Sequence, residues 1–400
     1  MRQLDLATPH PAHASYPRWL QWWHAWCDKW LTHPALYAWA LRNPLTRWFT
    51  LHRTRQVFDV MAGFVHTQVL LGCVRLGIFE HLKTGPKTLP ELAILCHQPP
   101  AGLQRLIQSA ITLRLLSHRS GFRYGLGPLG KPIASHTGLA EMIEHNQLLY
   151  QDMADPVALL QEDWQGSMAA YWPYADPQTA QALQQRGLAQ RQAARYSELM
   201  AASQGFVIQE LLAAYPFDEH RCVLDVGGGK GRWITELGRA YPALQGMLFD
   251  LPHVVAVARE HLANEGMAAR VTLHEGSFLQ DPLPQGADVV TLVRVAHDHP
   301  DEVVLALLKK IHASLPAGGA LVLAEPMANE VGEPVRSDAY FHFYLLAMGS
   351  GRLRTPSELF ALMRQAGFGC LEEAPSPMPV HARVLVGRRL GVYPLKSSEM

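Results

Sequence analysis

The sequence predicts an α/β protein, with a helical N-terminal half ahead of a doubly wound sheet that is parallel at least through its first strands. Two observations carry this. Between about residues 206 and 390, short β-branched runs alternate with helical stretches, the pattern of strands covered on both faces by crossover helices. The first of those strands runs into Asp225-Val-Gly-Gly-Gly-Lys-Gly231 and then a helix, a turn that glycine permits and that brings backbone close to a ligand. At 400 residues the chain exceeds one ordinary core and implies at least two domains.

Residues 1–50 form a distinct N-terminal extension that holds seven of the ten tryptophans, Trp19, Trp22, Trp23, Trp26 and Trp30 at the spacing of one helix face. Pro34 and Pro44 cut the segment into short helices. Two readings stay open: a helix packed on its own domain or on a partner subunit, or an interfacial surface touching membrane or a greasy substrate. Residues 51–135 read as a compact helical domain. The run Val57–Phe79 is apolar at helical spacing, Thr88-Leu-Pro-Glu91 is a capping box, a helix follows from about Ala101 to Leu116, and Gly121–Gly127 reads as a hairpin. That order is a winged-helix pattern. Its presumed third helix offers few cations (Arg105, Arg114), which favours dimerisation over DNA binding. Residues 136–205 read as a helical connector with a scatter of aromatics, among them Tyr150, Trp164, Tyr171, Trp172 and Tyr174, together with Met153 and Met168. Residues 206–390 form the sheet domain, with strands expected at 222–226, 246–250, 271–275, 288–294, 320–324, 370–373 and 383–387, and 391–400 is a tail.

Composition narrows the function. Formal net charge is zero and only 18% of residues are charged, which argues against a protein that holds nucleic acid mainly by charge. Five scattered cysteines without a CxxC pair give no support to a disulfide framework or a structural zinc site, and reduced cytoplasmic thiols are the default. No secretory signal and no run of 18 uncharged apolar residues stand out. The expected location is cytoplasmic, with contact at the periphery of a membrane left open by the tryptophans.

The chemistry gathers where strands end. Lys230 is followed by Gly231 rather than Ser or Thr, so the glycine turn is not a phosphate loop of the Walker type. The spacing DxGxGxG, with Asp225, Gly227 and Gly229, also differs from the dinucleotide GxGxxG. It points to a nucleoside cofactor held over a helix N-terminus. The second strand ends at Asp250, a carboxylate able to accept from both ribose hydroxyls or to cap the next helix. The third leads to Ser277 and Phe278, suited to the edge and the face of an adenine. The fourth ends in Arg294-Val-Ala-His297-Asp298-His299. His297 is a candidate general base, Asp298 a supporting carboxylate, and Glu325, at the end of the fifth strand, a partner for the second ring nitrogen. His297 and His299 also form an HxH pair, but no further ligands accompany it, so no metal is expected.

Taken together, DVGGGKGR, LFDLP, EGSF, RVAHDHPDE and AEP resemble the ordered motifs of the small-molecule O-methyltransferases, the class I group that includes the caffeic acid and acetylserotonin enzymes. The resemblance spans roughly residues 57–390. It implies S-adenosyl-L-methionine as cofactor, a Rossmann-like methyltransferase sheet, and an N-terminal winged-helix dimerisation domain forming a homodimer. It also implies His297, Asp298 and Glu325 as catalytic residues, with Asp225, Gly227, Gly229, Asp250, Ser277, Phe278 and Arg294 around the cofactor. Segments 58–79, 277–299 and 338–359 are similar to the purple-bacterial carotenoid O-methyltransferases of the hydroxyneurosporene or demethylspheroidene type. That narrower likeness implies an apolar substrate, an acyclic carotenoid methylated on its tertiary C-1 hydroxyl. The runner-up is another apolar acceptor: a tetrapyrrole, phenol or polyketide. A non-catalytic cofactor-binding regulator is the alternative of a different class. The chain departs from the plant enzymes at Leu353, where they carry a glutamate, at Ser277, where they carry an aspartate, and at Val293, where they carry a lysine.

Overall fold

The computed structural model describes residues 17–161, 164, 166–168, 205, 207–330, 336–376 and 382–391. Tyr171, Trp172 and Tyr174 lie outside them. The chain divides after Ala134 into two compact units.

The first unit opens with four helices, α1 (Arg18–Leu31), α2 (Pro34–Arg42), α3 (Pro44–Met61) and α4 (Gly63–Arg75). Pro34 and Pro44 stand at the first helical positions, where the missing N–H costs nothing, and the side chains of His33 and Asn43 cap the starts. The apolar run expected over 57–79 is not continuous. It breaks at Ala62 with a 55° bend, and again at Gly77, whose φ of +61° starts α5 (Ile78–Lys83). Next come β1 (Lys87–Thr88), α6 (Leu89–Leu95), α7 (Pro100–Thr112), β2 (Leu116–Arg119), β3 (Arg123–Leu126) and α8 (Gly130–Ser135). The Thr88–Glu91 capping box forms as the sequence predicts. The expected hairpin gains a third strand, giving the order β1-β3-β2, so this unit is not wholly helical. Cys73, Ile78, Leu92, Ile107 and Leu116 lie almost fully buried in its core, at about 1.5–3 kcal/mol for each large apolar side chain.

The second unit begins with α9 (Thr137–Asp152). Its sheet is built from β4 (Cys222–Val226), β5 (Gln245–Asp250), β6 (Val271–Glu275), β7 (Val289–Val293), β8 (Ala320–Glu325), β9 (Phe368–Ala374) and β10 (Arg383–Arg389). The helices between them are α10 (Arg232–Ala240), α11 (Pro252–Asn264), α12 (Asp301–Ser314), α13 (Arg336–Met348) and α14 (Pro356–Gln365). Strand order is β6-β5-β4-β7-β8-β10-β9, parallel from β6 to β8, with β10 antiparallel to both neighbours. The runs of β7 and β8 are fully buried and apolar but for Thr291 and Glu325, as a strand covered on both faces requires. Two apolar clusters sandwich the sheet. Strand order reverses direction between β4 and β7, and ligands of such sheets sit over the C-terminal ends at that switch.

Candidate active site

Two loops leave the sheet at that switch. The first follows β4. Asp225 is buried, and one of its oxygens accepts from Thr291 Oγ1 on the neighbouring strand β7 at 2.8 Å. Thr291 accepts in turn from Trp233 Nε1 at 3.2 Å. The other carboxylate oxygen, Oδ2, has no hydrogen-bond partner among the described residues. Burial pushes the Asp225 carboxyl up to about 7, with nearby Asp250 adding to the rise and the Thr291 bond opposing it. Gly227 takes φ +71°, and a Cβ there would meet Val295 Cγ2 at 2.8 Å. Glycine at this place thus lets the β4 loop lie against the β7 loop. Asp250, at the end of β5, accepts from the Gly229 N–H at 2.8 Å and from the Leu251 N–H at 2.7 Å. The carboxylate therefore ties down the glycine turn as well as standing at the strand end. Burial pushes it up to about 6 despite these two donors.

The second loop follows β7. Arg294 turns into left-handed backbone at φ +55°, and its N–H donates to the Ala324 carbonyl at 2.8 Å. Ala296–Asp298 then form one 3-10 turn. Glu325, the last residue of β8 and 1% exposed, organises that turn. Its Oε1 accepts from the Val295 and Ala296 N–H groups at 2.8 and 2.7 Å, and its Oε2 hydrogen-bonds His297 Nδ1. An ionised carboxylate only accepts, so Nδ1 carries the proton and Nε2 of the neutral ring is left as the basic nitrogen. Asp298 Oδ1 lies 3.3 Å from that Nε2. Burial pulls the imidazole down, but Asp298 and Glu325 outweigh it and hold His297 above its ordinary value. Asp298 itself is pushed up to about 6, chiefly by burial.

His297, Asp298, Glu325 and Arg294 are thus brought together, as are Asp225, Gly227, Gly229 and Asp250. Phe278 presents its ring to the edge of His299, centroids 5.3 Å apart at 84°. Ser277 closes its own turn, its Oγ accepting from the Leu279 N–H at 3.3 Å and its N–H donating to Asp281 at 2.8 Å.

The residues that sequence reasoning missed lie 50 positions further on. Arg354 is buried and donates to the carbonyls of Ala296 (2.9 Å) and His299 (2.7 Å) and to Asp301 (2.8 Å). Arg352 bridges Asp301 and Glu358, and its N–H donates to the His297 carbonyl at 3.0 Å. A Cβ on Gly351 would lie 2.0 Å from that same carbonyl, and its φ is +77°. The segment Gly351–Arg354 is therefore a clasp over the backbone of the histidine turn. Two arginines directly ahead of the Thr355–Glu358 capping box were the available signal.

An apolar wall belongs to the same unit. Leu149, Tyr344, Met348 and Leu353 are buried together, with Trp164 and Tyr340 partly buried against them. Leu353 belongs to this wall and adds no carboxylate to the site. His145 Nε2 and the Tyr344 hydroxyl pair at 3.2 Å, and the Tyr340 hydroxyl donates to Asn146 at 2.9 Å. Leu353 stands between Arg352 and Arg354, whose hydrogen bonds to the His297, Ala296 and His299 carbonyls place this end of the wall beside the histidine turn. Burial, with Arg294, pulls His145 down to about 4, so it is neutral at physiological pH. Among the described residues no cluster of three or more His, Cys, Asp or Glu could hold a metal ion.

Comparison with known proteins identifies the family. Residues 150–369 match the O-methyltransferase domain and residues 58–135 the O-methyltransferase dimerisation domain. The chain is 37% identical to demethylspheroidene O-methyltransferase of Cereibacter sphaeroides, over 88% of this chain and 91% of that protein. It is 39% identical to demethylspheroidene O-methyltransferase of Rhodobacter capsulatus, over 87% and 85%. It shares its fold with human N-acetylserotonin methyltransferase, solved in complex with SAM, at a TM-score of 0.70 and 22% identity over 85% of this chain and 98% of that one. The chain belongs to the O-methyltransferase family and is an S-adenosylmethionine-dependent O-methyltransferase.

Proposed function

We propose that this member of the O-methyltransferase family methylates the tertiary C-1 hydroxyl of an acyclic carotenoid of the hydroxyneurosporene or demethylspheroidene type, with His297 as general base. The observation that carries the acceptor is the identity of 37 and 39%, across nearly the whole chain, to two demethylspheroidene O-methyltransferases. The apolar wall of Leu149, Tyr344, Met348 and Leu353 beside the histidine suits a long hydrocarbon. The dimerisation domain at residues 58–135 supports a homodimer.

The residues over the switch point fit S-adenosylmethionine. Gly229 has open space where a side chain would stand, Asp250 stands half-buried at the β5 end, and buried Asp225 Oδ2 is without a partner among the described residues. Asp225 and the Gly227–Gly229 backbone would hold the amino-acid end, Asp250 the ribose, Ser277 and Phe278 the adenine, and Arg294 the side nearest His297. When bound, the cofactor supplies a methyl group already activated on a sulfonium.

The chain's own task is then position and one proton. Nε2 of neutral His297 would accept the acceptor hydroxyl proton as that oxygen takes the methyl carbon and the carbon–sulfur bond of the sulfonium breaks, its electron pair staying on sulfur. A tertiary alcohol is too weak an acid to be ionised by imidazole beforehand, so the two events go together. Glu325 fixes the tautomer through Nδ1, and the carboxylates of Glu325 and Asp298 stabilise the imidazolium that forms. The clasp from Arg352 and Arg354 keeps the turn in place.

The test is to incubate the protein with methyl-labelled cofactor and a panel of hydroxylated acyclic carotenoids, phenols and tetrapyrroles. Label in a hydroxylated carotenoid supports the reading. Label only in a phenol or tetrapyrrole refutes it.

A further inference from the structure

The first helices carry an exposed aromatic face. On α1 the side chains of Trp19, Trp22, Trp23, Trp26 and Trp30 are all exposed, Trp19 and Trp22 by about two thirds, and no residue of the helix is buried. At about 100° per residue the five fall within an arc of about 100°. Trp23 stacks on Trp26 with centroids 5.3 Å apart, and Trp26 lies 6.3 Å from Trp30, so the rings form a continuous ladder. Arg18 and Lys29 border one side of this arc, and Asp28 stands opposite it.

Charge identifies what could cover the face. Residues 17–75 carry seven Lys and Arg against two acids, Asp28 and Asp59, a surplus of five in a chain of zero formal net charge. Pairing this face with its copy about a two-fold axis would set like charges against each other. The dimerisation domain match begins only at residue 58, after the tryptophan ladder. Tryptophan rather than leucine or isoleucine dominates the ladder, and that ring prefers the boundary between hydrocarbon and water. No single helix among the described residues is long and apolar enough to cross a bilayer.

We infer that the face made by α1 and the helices next to it docks on an anionic lipid surface, the tryptophan ladder entering the headgroup layer and the flanking cations meeting lipid phosphates. The helix lies in the plane of the interface and does not span it. Such docking would bring the enzyme to where water-insoluble acceptors reside, but it does not depend on the acceptor being a carotenoid.

The test uses the full chain and no acceptor, so its outcome is separate from that of the acceptor panel. The protein is sedimented with vesicles of phosphatidylcholine alone and of phosphatidylcholine containing phosphatidylglycerol, at low and raised salt. Expected are binding to the anionic vesicles that weakens with salt, a blue shift of tryptophan emission on binding, and release by alkaline carbonate. The triple variant Trp22→Ala/Trp26→Ala/Trp30→Ala should lose roughly tenfold or more of the partitioning. The pair Arg18→Glu/Lys29→Glu should lose the preference for anionic lipid. Both should retain the parent's helical circular dichroism and its thermal unfolding transition, which report folding of the whole chain. The inference is overturned if the folded parent binds neither vesicle. It is also overturned if the tryptophan variant binds as the parent does, if that variant instead changes the oligomeric state, or if the parent resists carbonate extraction.

Discussion

Replacing Glu325 by Gln isolates the tautomer from everything else in the site. Gln keeps a carbonyl oxygen for the Val295 and Ala296 N–H groups, now accepted at 2.8 and 2.7 Å, so the 3-10 turn should keep its shape. The atom that changes is the one facing His297 Nδ1. An amide NH₂ there donates, Nδ1 must accept, and the ring proton moves to Nε2, where Asp298 Oδ1 at 3.3 Å is ready to receive it. The base nitrogen is then blocked. General-base assistance contributes about 10²–10⁴ in rate, so kcat should fall by that factor, about 3–5 kcal/mol in barrier. Loss of the carboxylate also removes one of the two groups that hold His297 above its ordinary value. The assay pairs single-turnover methyl transfer with calorimetric titration of S-adenosylhomocysteine. Expected are a slow chemical step, a Kd within about twofold of the parent, and a change in unfolding free energy of under about 2 kcal/mol. A variant that binds cofactor normally and transfers methyl within about fivefold of the parent rate would falsify the tautomer argument.

Four further outcomes follow. Because the base must be neutral and its pKa is raised, kcat/KM should fall as pH drops through a value above the ordinary histidine range, and Asp298→Asn should move that limb to lower pH. An unmoved limb would show that Asp298 does not act on His297. Arg354→Met should cost about 3–5 kcal/mol in a urea titration, because it leaves the Ala296 and His299 carbonyls unpaired; a loss under about 1 kcal/mol would remove the clasp from the account. Gly351→Ala, with a Cβ 2.0 Å from the His297 carbonyl, should lower both stability and kcat, and wild-type kinetics would contradict the close packing seen there. Asp225 has a folded pKa raised to about 7. Its protonated form is favoured in the fold, so its contribution is fully present below the unfolded pKa and lost as pH rises toward 7. Asp225→Asn should therefore gain stability relative to the parent at pH 8 and not at pH 4, and an equal effect at both would refute the shift.

Much of this was legible because it is local. The strand at 222–226 falls where an apolar run begins and ends, since a strand buried on both faces leaves little else to read. The Thr88 capping box is complete within four residues. His297 and Glu325 were legible as a pair because both sit at the ends of adjacent parallel strands. What was hidden depends on approach between distant segments. Arg354 reaches back to Ala296 and His299 across more than 50 residues, and nothing in either stretch names the other. The role of Asp250 in binding the Gly229 N–H was hidden for the same reason, because a ribose-facing carboxylate and a loop tie look alike in sequence. The break at Ala62 was missed because an apolar run at helical spacing reads as one helix whether or not it bends.

In the proposed reaction His297, oriented by Glu325, removes a proton from a tertiary carotenoid hydroxyl as that oxygen takes the methyl group. Its most direct measurement is transfer of labelled methyl from S-adenosylmethionine to a 1-hydroxylated acyclic carotenoid by the parent and by His297→Ala, with cofactor binding followed in parallel. Expected are a methyl ether at C-1 from the parent and at least a hundredfold slower transfer by the variant, with unchanged cofactor affinity. Transfer by His297→Ala at the parent rate, or label found elsewhere than on the C-1 oxygen, would contradict it.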